Sequence, residues 1–216
     1  MNISIIGAGP GGSYAAKLLA EKGHNVTIYE DHPCVGIPVQ CTGLVTKTFL
    51  DLHPINKEFL VNEMHKVRVI APNNQEVDIP LTEYVLDRAK LDQTLCNEAV
   101  NAGAELKIHH RFVGIKDDKI YSKTNMSEQE LSSRNNQKTT VDAQKSRSFD
   151  IILKHKGETI EKKTDIIIGA DGPNSDVAKS TGIYGKRPVF IAHQVTIKGN
   201  FDVDTFVTYF GKWAPG

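Results

Sequence analysis

The chain has 216 residues, of which 39% are hydrophobic and 24% charged, as is ordinary for a soluble globular protein. This length allows one domain, or one domain and part of a second. The formal net charge is zero, so no global charge attracts nucleic acid, and no apolar run is long enough to span a bilayer.

The apolar pattern starts at Asn2, which leaves no room for a signal peptide, so we expect a cytoplasmic protein. Contact with the inner face of a membrane stays compatible with this location. Three cysteines, Cys34, Cys41 and Cys96, are too few and too scattered for a disulfide framework. The histidines include the pair His109–His110 but no HExxH or paired CxxC spacing, so we predict no metal site.

A glycine-rich run follows the first predicted strand, residues 3–6, and opens a predicted helix. In a dinucleotide-binding turn, Gly7 would permit the tight turn, Gly9 would admit a diphosphate to the main chain, and Gly12 would let helix and strand pack closely. Free N–H groups at the helix start would face the phosphates. A glycine-rich turn with only a structural role is the alternative.

Glu30 ends the second predicted strand, residues 26–29, about 20 residues after the glycines, as the fingerprint requires. Its carboxylate can accept hydrogen bonds from the ribose hydroxyls of an adenosine. The same charge would repel a ribose 2′-phosphate, so the sequence favours FAD or NAD over NADP.

An irregular loop over residues 31–45 combines prolines, glycines and cysteines. The succession GAGPGGS, E-x-H-P and G-x-P-V-Q-C-T-G resembles the archaeal geranylgeranyl reductases, which are FAD-dependent members of the para-hydroxybenzoate hydroxylase superfamily. The resemblance implies that this loop, with Cys41, Thr42 and Gly43, runs beside the isoalloxazine. It also implies that Cys41 lies near the reacting face, which makes Cys41 the candidate catalytic residue. Alternatively, Cys41 is a small apolar filler.

A helix is predicted to begin beside Arg88, with Asp87 as its N-cap, and to end near Gly103. Arg88 could contact a diphosphate with both prongs of its guanidinium, or pair with Asp92 on the helix surface. The pattern D-R-x-x-L-D-x-x-L resembles the same superfamily, which implies that Arg88 lies near the flavin nucleotide.

Residues 105–109 read as the next parallel strand, with one histidine of the His109–His110 pair buried and the other solvated. In relatives, the segment after this strand, here residues 111–115, brings main-chain groups to the adenine. The resemblance therefore makes Val113 a candidate cofactor contact.

Three isoleucines, at residues 166–168, predict a buried strand. Gly169 and Gly172 would let the chain turn closely past a ligand into a helix, which makes Gly172 a candidate cofactor contact. Asp171 would then point from the strand end into the ligand crevice of an open α/β sheet. A plain strand–turn–helix connection is the alternative. The GADGxxS pattern resembles the second fingerprint of flavin hydroxylases and prenyl reductases, which favours FAD, although Ala178 stands where many hydroxylases have arginine.

Other stretches indicate further elements. Residues 66–79 predict a hairpin, and residues 122–148 predict a long mobile excursion between the strand arms 119–121 and 149–153. Alternating apolar residues predict two more strands, 189–197 and 205–210.

The sequence therefore predicts an α/β fold. A Rossmann-like FAD-binding domain would comprise residues 1–45 and 84–183. An incomplete antiparallel substrate-domain sheet would comprise residues 46–83 and 184–216, truncated at the C-terminus, because the family's later Y-x-W-x-F-P and G-D motifs do not occur.

The resemblance implies a flavin-dependent oxidoreductase that saturates double bonds of geranylgeranyl chains in membrane lipids. Its partners would be a prenyl lipid substrate, an external electron donor such as reduced ferredoxin or NADH, and a membrane surface. Two alternatives are open: an FAD-dependent monooxygenase or halogenase, and a catalytically incomplete flavin-binding fragment.

Overall fold

A computed structural model provides the coordinates of the chain. The structure describes three stretches: residues 1–116, 148–186 and 188–211. The predicted excursion 122–148, apart from Ser148, and its arm 119–121 lie outside these residues.

In chain order, the described elements are β1 (Asn2–Ile6), α1 (Pro10–Glu21), β2 (Asn25–Tyr29), β3 (Leu44–Thr46), a 3-10 helix (Lys47–Asp51), β4 (Leu60–Ile70), β5 (Glu76–Leu86), α2 (Arg88–Asn101), β6 (Glu105–Lys107), β7 (Arg111–Ile115), β8 (Phe149–His155), β9 (Glu158–Thr164), β10 (Ile166–Gly169), α3 (Asp176–Ser180) and β11 (Thr205–Tyr209).

The chain forms two compact units. The first unit combines Met1–Ile37 with Asp92–Lys186, and the second combines Pro38–Leu91 with Arg187–Gly216. Each unit is therefore built from two separate pieces of the sequence.

The first unit contains a parallel sheet in the order β10-β1-β2-β6. Ile3 and Ile5 of β1 are buried in one cluster with Ala16 of α1 and Ala99 of α2. Because parallel strands need crossover connections, this order and the intervening helices confirm the predicted Rossmann-like α/β fold.

A second sheet of the first unit, in the order β7-β8-β9, is antiparallel. Ile6 and Tyr29, from the ends of β1 and β2, share a buried cluster with Phe112, Ile151 and Leu153 of this sheet. The parallel sheet therefore buries apolar residues on both faces, which explains why β1 has no regular apolar–polar alternation.

The second unit contains a sheet in the order β11-β4-β5-β3. It is antiparallel except where β11 joins β4 in parallel. The predicted hairpin is confirmed, and its strands extend further than the sequence indicated. Its turn holds Asn74 at φ 63°, a conformation that asparagine tolerates better than most residues.

Two local predictions are wrong. Residues 189–197 form no strand in the described structure, and Ile191 is 87% exposed. Apolar alternation gives a strand only where a neighbouring strand supplies hydrogen bonds.

Neither histidine of the His109–His110 pair is buried, because β6 ends at Lys107 and His109 lies in a turn at φ 59°.

Candidate functional site

The glycine-rich loop joins β1 to α1 through a closely packed turn. Gly7 has φ 100°, and its N–H donates to the Tyr29 carbonyl over 2.8 Å. A Cβ on Gly7 would overlap the carbonyl oxygen of Ala170, and a Cβ on Gly12 would overlap that of Gly7. Only glycine fits at either position without moving the main chain.

The start of α1 presents hydrogen-bond donors for an anion. Gly9 is the N-cap and has no side chain to cap the helix, and the first turn contains no acidic residue. Among the described residues, no partner accepts from the N–H groups of Gly9, Gly11 or Gly12. A Cβ on Gly9 would meet no atom within 4 Å, so the main chain there is open to a ligand. Such a helix start suits a phosphate group.

Ser13 stabilises the glycine-rich loop through a buried hydrogen bond. It is fully buried, and its hydroxyl donates to the carbonyl of Ala8 over 2.9 Å. Our sequence reasoning missed this residue, although its place directly after the third glycine of the fingerprint could have pointed to it.

Glu30 is fixed by donors from both sides. It is only 8% exposed. Its Oε2 accepts from the Ala8 N–H over 2.8 Å, while Oε1 accepts from the His32 N–H over 3.0 Å and lies 2.6 Å from the His32 Nδ1. An ionised carboxylate is an acceptor only, as a contact with a ribose hydroxyl requires.

Opposing effects set the pKa of Glu30. Burial pushes the pKa upward, but hydrogen bonds from the N–H groups of Ala8 and His32 and from the His32 imidazole outweigh it and hold the pKa below its usual value. Burial and the adjacent Glu30 carboxylate raise the pKa of Asp31. These hydrogen bonds therefore favour the ionised form of Glu30, which is the form that accepts from a ribose hydroxyl.

His32 also completes a small cluster. Its Nδ1 lies 2.8 Å from Asp31 Oδ1, and one ligand atom from each of Glu30, Asp31 and His32 lies within 4.8 Å of the others. The sequence had indicated no metal site, and these groups satisfy one another by hydrogen bonds; the absence of a metal stays a prediction.

Asp171 follows β10 and lies against the glycine-rich loop. A Cβ on Gly7 would be 3.1 Å from the Asp171 nitrogen. The Asp171 carboxylate accepts from the Ser175 hydroxyl over 2.6 Å and from the Val177 N–H over 3.0 Å, so it fixes the start of α3. Gly172, at φ 79°, leaves the adjacent main chain exposed. A cofactor contact by either residue stays a prediction.

Val113 lies at a β-bulge. Phe112 pairs with Leu153 and Gly114 with Ile152, so Val113 is the extra residue with no cross-strand partner in the described register. A bulged residue has main-chain groups that the ladder does not use. This geometry is compatible with the predicted main-chain contact to an adenine, which stays a prediction.

The remaining candidate residues lie in the second unit. Cys41 and Thr42 are exposed. Gly43 is buried at φ 77°, and a Cβ there would overlap the Leu86 carbonyl oxygen and lie 3.4 Å from Arg88 Cγ.

The helix start at Arg88 is confirmed. Arg88 is the first residue of α2, and the Asp87 carboxylate caps this helix by accepting from the Lys90 N–H over 3.1 Å. The structure thus brings Gly43 and Arg88 together, and separately brings Gly7, Gly9, Gly12, Glu30 and Asp171 together. The second group has the geometry of a dinucleotide-binding turn.

Comparison with known proteins supports this interpretation. A family model described as an NAD(P)-binding Rossmann-like domain matches residues 5–41, which include the end of β1 and all of α1 and β2. The digeranylgeranylglycerophospholipid reductase of Methanosarcina acetivorans is 30% identical over 191 residues, covering 84% of this chain and 40% of the relative. The digeranylgeranylglycerophospholipid reductase of Thermoplasma volcanium is 27% identical over an alignment of 235 positions, gaps included, which covers all of this chain and 51% of the relative.

The chain is homologous to the geranylgeranyl reductases. It spans about half the length, or less, of the curated reductases that it matches.

Solved structures agree with this relationship. A geranylgeranyl bacteriochlorophyll reductase-like protein from Thermoplasma acidophilum matches with a TM-score of 0.70 at 22% identity, over 99% of this chain and 51% of that one. Aklavinone-11 hydroxylase, solved with FAD and aklavinone, matches with a TM-score of 0.60 at 14% identity, over 84% of this chain and 34% of that one. At these identities the reductase-like protein and the hydroxylase show a shared fold.

Proposed function

We propose that the chain binds FAD and forms part of a flavin-dependent reductase that saturates double bonds in the geranylgeranyl chains of membrane lipids. The observation that carries this proposal is its similarity to digeranylgeranylglycerophospholipid reductases across 84% or more of the chain. The hydroxylase fold is shared at much lower identity, which gives no comparable reason to prefer a monooxygenase.

The residues of the first unit fit an adenosine diphosphate moiety. The free N–H groups of Gly9, Gly11 and Gly12 would bind the diphosphate, and the ionised Glu30 would accept from a ribose hydroxyl. The same carboxylate would disfavour a ribose 2′-phosphate by charge repulsion. These features suit the AMP half of FAD.

Bound FAD, once reduced by the external electron donor, would supply the hydride for one carbon of the double bond, and a proton would be added to the other carbon. This chain's own residues would bind and orient the adenosine half. For Cys41, Thr42, Gly43, Arg88, Val113, Asp171 and Gly172, the cofactor contacts implied by the resemblance are part of the proposal. The Ser13 hydroxyl would preserve the loop geometry, since it fixes the main chain at Ala8.

The partners proposed for the whole protein are a prenyl lipid, an external electron donor such as reduced ferredoxin or NADH, and the surface of a membrane. None of the helices in the described stretches is both long and apolar enough to cross a bilayer. Because the proposed substrate is a membrane lipid, we propose peripheral attachment as the form of membrane contact.

We expect Gly9→Ala to lose FAD binding while keeping the stability of the parent protein. Its Cβ would meet no protein atom within 4 Å, but it would occupy the side from which the diphosphate approaches the main chain. Titration of the chain with FAD, followed by flavin fluorescence, should show affinity reduced about tenfold or more, equivalent to at least one charge-assisted hydrogen bond. Unchanged affinity would contradict the proposed diphosphate position.

The activity is tested separately. The FAD-loaded chain, reduced chemically under anaerobic conditions, is incubated with a geranylgeranyl glycerophospholipid, and the lipid is analysed by mass spectrometry. Addition of one H2 per double bond would support the reductase. In a parallel aerobic incubation with the same reductant, oxygen-dependent hydroxylation instead would establish the monooxygenase alternative. FAD binding without turnover under either condition would establish a flavin-binding fragment.

A further inference from the structure

A solvent-accessible groove of about 410 Å³ lies where β7 and β8 meet α3 in the first unit. We call it the basic groove. Its lining residues are Arg111, Val113, Lys154, Asp176, Lys179 and Ser180. Three of the six side chains are cationic and one is anionic, so the groove carries a positive field.

Two of the cations face each other across the sheet. Arg111 and Lys154 are directly paired in the antiparallel register of β7 and β8, which places their Cβ atoms about 5 Å apart on the same face. Like charges at such a position destabilise a sheet. An anion bound between them would relieve the repulsion.

The carboxylate of the groove compensates this charge incompletely. Asp176 pairs with Lys179 at 3.0 Å but approaches the Arg111 guanidinium only to 4.0 Å. The Lys154 side chain makes no hydrogen bond or ion pair with any part of the chain that the structure describes. Arg111 and Lys154 therefore have donors available for a ligand.

Lys179 is held in place by several neighbours. Its Nζ donates to the Asn174 carbonyl over 2.6 Å and lies 5.3 Å from the centroid of the Tyr184 ring. These contacts fix the cation with little further loss of side-chain entropy when a ligand binds, which favours affinity.

The groove also has features that select the rest of the ligand. Its volume exceeds that of a phosphate ion and falls in the range of small-molecule sites. The β-bulge presents Val113 as an apolar wall. The half-buried Ser180 hydroxyl has no partner among the described residues and can donate to an anion.

We propose that the basic groove binds an organic phosphomonoester, with the phosphate between Arg111 and Lys154 and the organic group against Val113. A guanidinium binds two phosphate oxygens at once, and an ammonium binds as a point charge. This site is separate from the glycine-rich loop proposed for the FAD diphosphate. It shares Val113 with the flavin proposal, which assigns the main chain of that residue, and not its side chain, to the adenine.

The test measures binding to the full chain, with and without saturating FAD. The soluble probes are glycerol 3-phosphate and glucose 6-phosphate, which lack the adenosine that the flavin site is proposed to bind, followed by calorimetry. The lipid probes are phosphatidylcholine vesicles with and without phosphatidic acid, followed by sedimentation. Binding of the soluble probes supports the proposal for a free phosphomonoester, and binding of phosphatidic acid vesicles supports it for a lipid headgroup.

The variant Lys154→Gln should weaken binding about tenfold, because it removes one charge-assisted contact. It should leave the unfolding midpoint unchanged or slightly higher, because it also removes a like-charge pair. The matched control is Lys162→Gln, which removes the same charge from the exposed surface of β9, outside the lining, and should leave affinity unchanged.

Three results would overturn the proposal. One is failure of every probe to bind. Another is an equal loss of affinity in both lysine variants, which would indicate diffuse attraction. The third is loss of probe binding when FAD is saturating, which would make the groove part of the cofactor site.

Discussion

We expect Gly12→Ala to lower the free energy of unfolding by about 3 kcal/mol and Gly11→Ala, one residue earlier, to raise it by up to about 1 kcal/mol. A Cβ on Gly12 would overlap the Gly7 carbonyl oxygen and approach the Ala170 Cβ to 3.0 Å. The main chain would have to move, because neither obstacle is the end of a flexible side chain. Denaturant unfolding measures both changes.

Gly11 is the matched control, since it occupies the same helix and a Cβ there would meet no atom within 4 Å. Alanine at this position gains helix propensity and restricts the unfolded chain. Equal destabilisation by the two variants would show that the close approach of α1 to the β1 turn does not limit stability. Opposite signs of the two changes in unfolding free energy, as we expect, would show that the close packing of α1 at Gly12 limits stability.

Glu30→Gln should cost about 2 kcal/mol of stability at neutral pH, because the buried carboxylate accepts from two N–H groups and an imidazole. The amide of glutamine would turn its NH2 group toward at least one of these donors. The Glu30→Gln substitution should also weaken FAD binding, since the oxygen proposed to accept from the ribose hydroxyl would lose its charge. Denaturant unfolding and flavin titration report the two effects independently.

The difference in unfolding free energy between the parent protein and Glu30→Gln should become smaller at low pH. The pKa of Glu30 in the folded protein lies below its ordinary value of 4.5, so its ionised form stabilises the fold above about pH 4.5. This contribution is lost as the pH falls from 4.5 through the folded-state pKa. The gap in unfolding free energy between parent and Glu30→Gln should therefore narrow as the pH falls below 4.5.

Glu21→Gln provides the comparison for this experiment, because it removes the same charge from an exposed position at the end of α1. Its stability should differ little from that of the parent at any pH. A pH-independent gap for Glu30→Gln would show that packing around residue 30, and not the charge, sets the cost of the substitution.

Most of the nucleotide-binding core could be predicted from local patterns. Short apolar runs identified β1, β2 and β10, and Asp87 marked the start of α2. Each pattern reflects a property of a few adjacent residues: burial on both faces of a strand, or a side-chain oxygen that caps a helix. Such signals need no knowledge of the rest of the chain.

The same patterns failed where a distant partner decides the outcome. Residues 189–197 alternate like a strand but form none in the described structure. The alternation did identify β11, but not its pairing with β4, from which β11 is separated by well over a hundred residues. His32 and Ser13 received no role from the sequence, because their bonds to Glu30 and Ala8 depend on how the loop closes.

The sequence by itself determined the glycines of the phosphate-binding turn, the acid at the end of β2 and the relationship to the reductases, since these depend on short spacings along the chain. Only the tertiary structure decided that the Asp171 carboxylate accepts from the Val177 N–H of α3, that Val113 lies at a bulge, and that Arg111, Lys154 and Lys179 share one groove. The physical reason is register: side chains far apart in sequence become neighbours only after particular strands have paired.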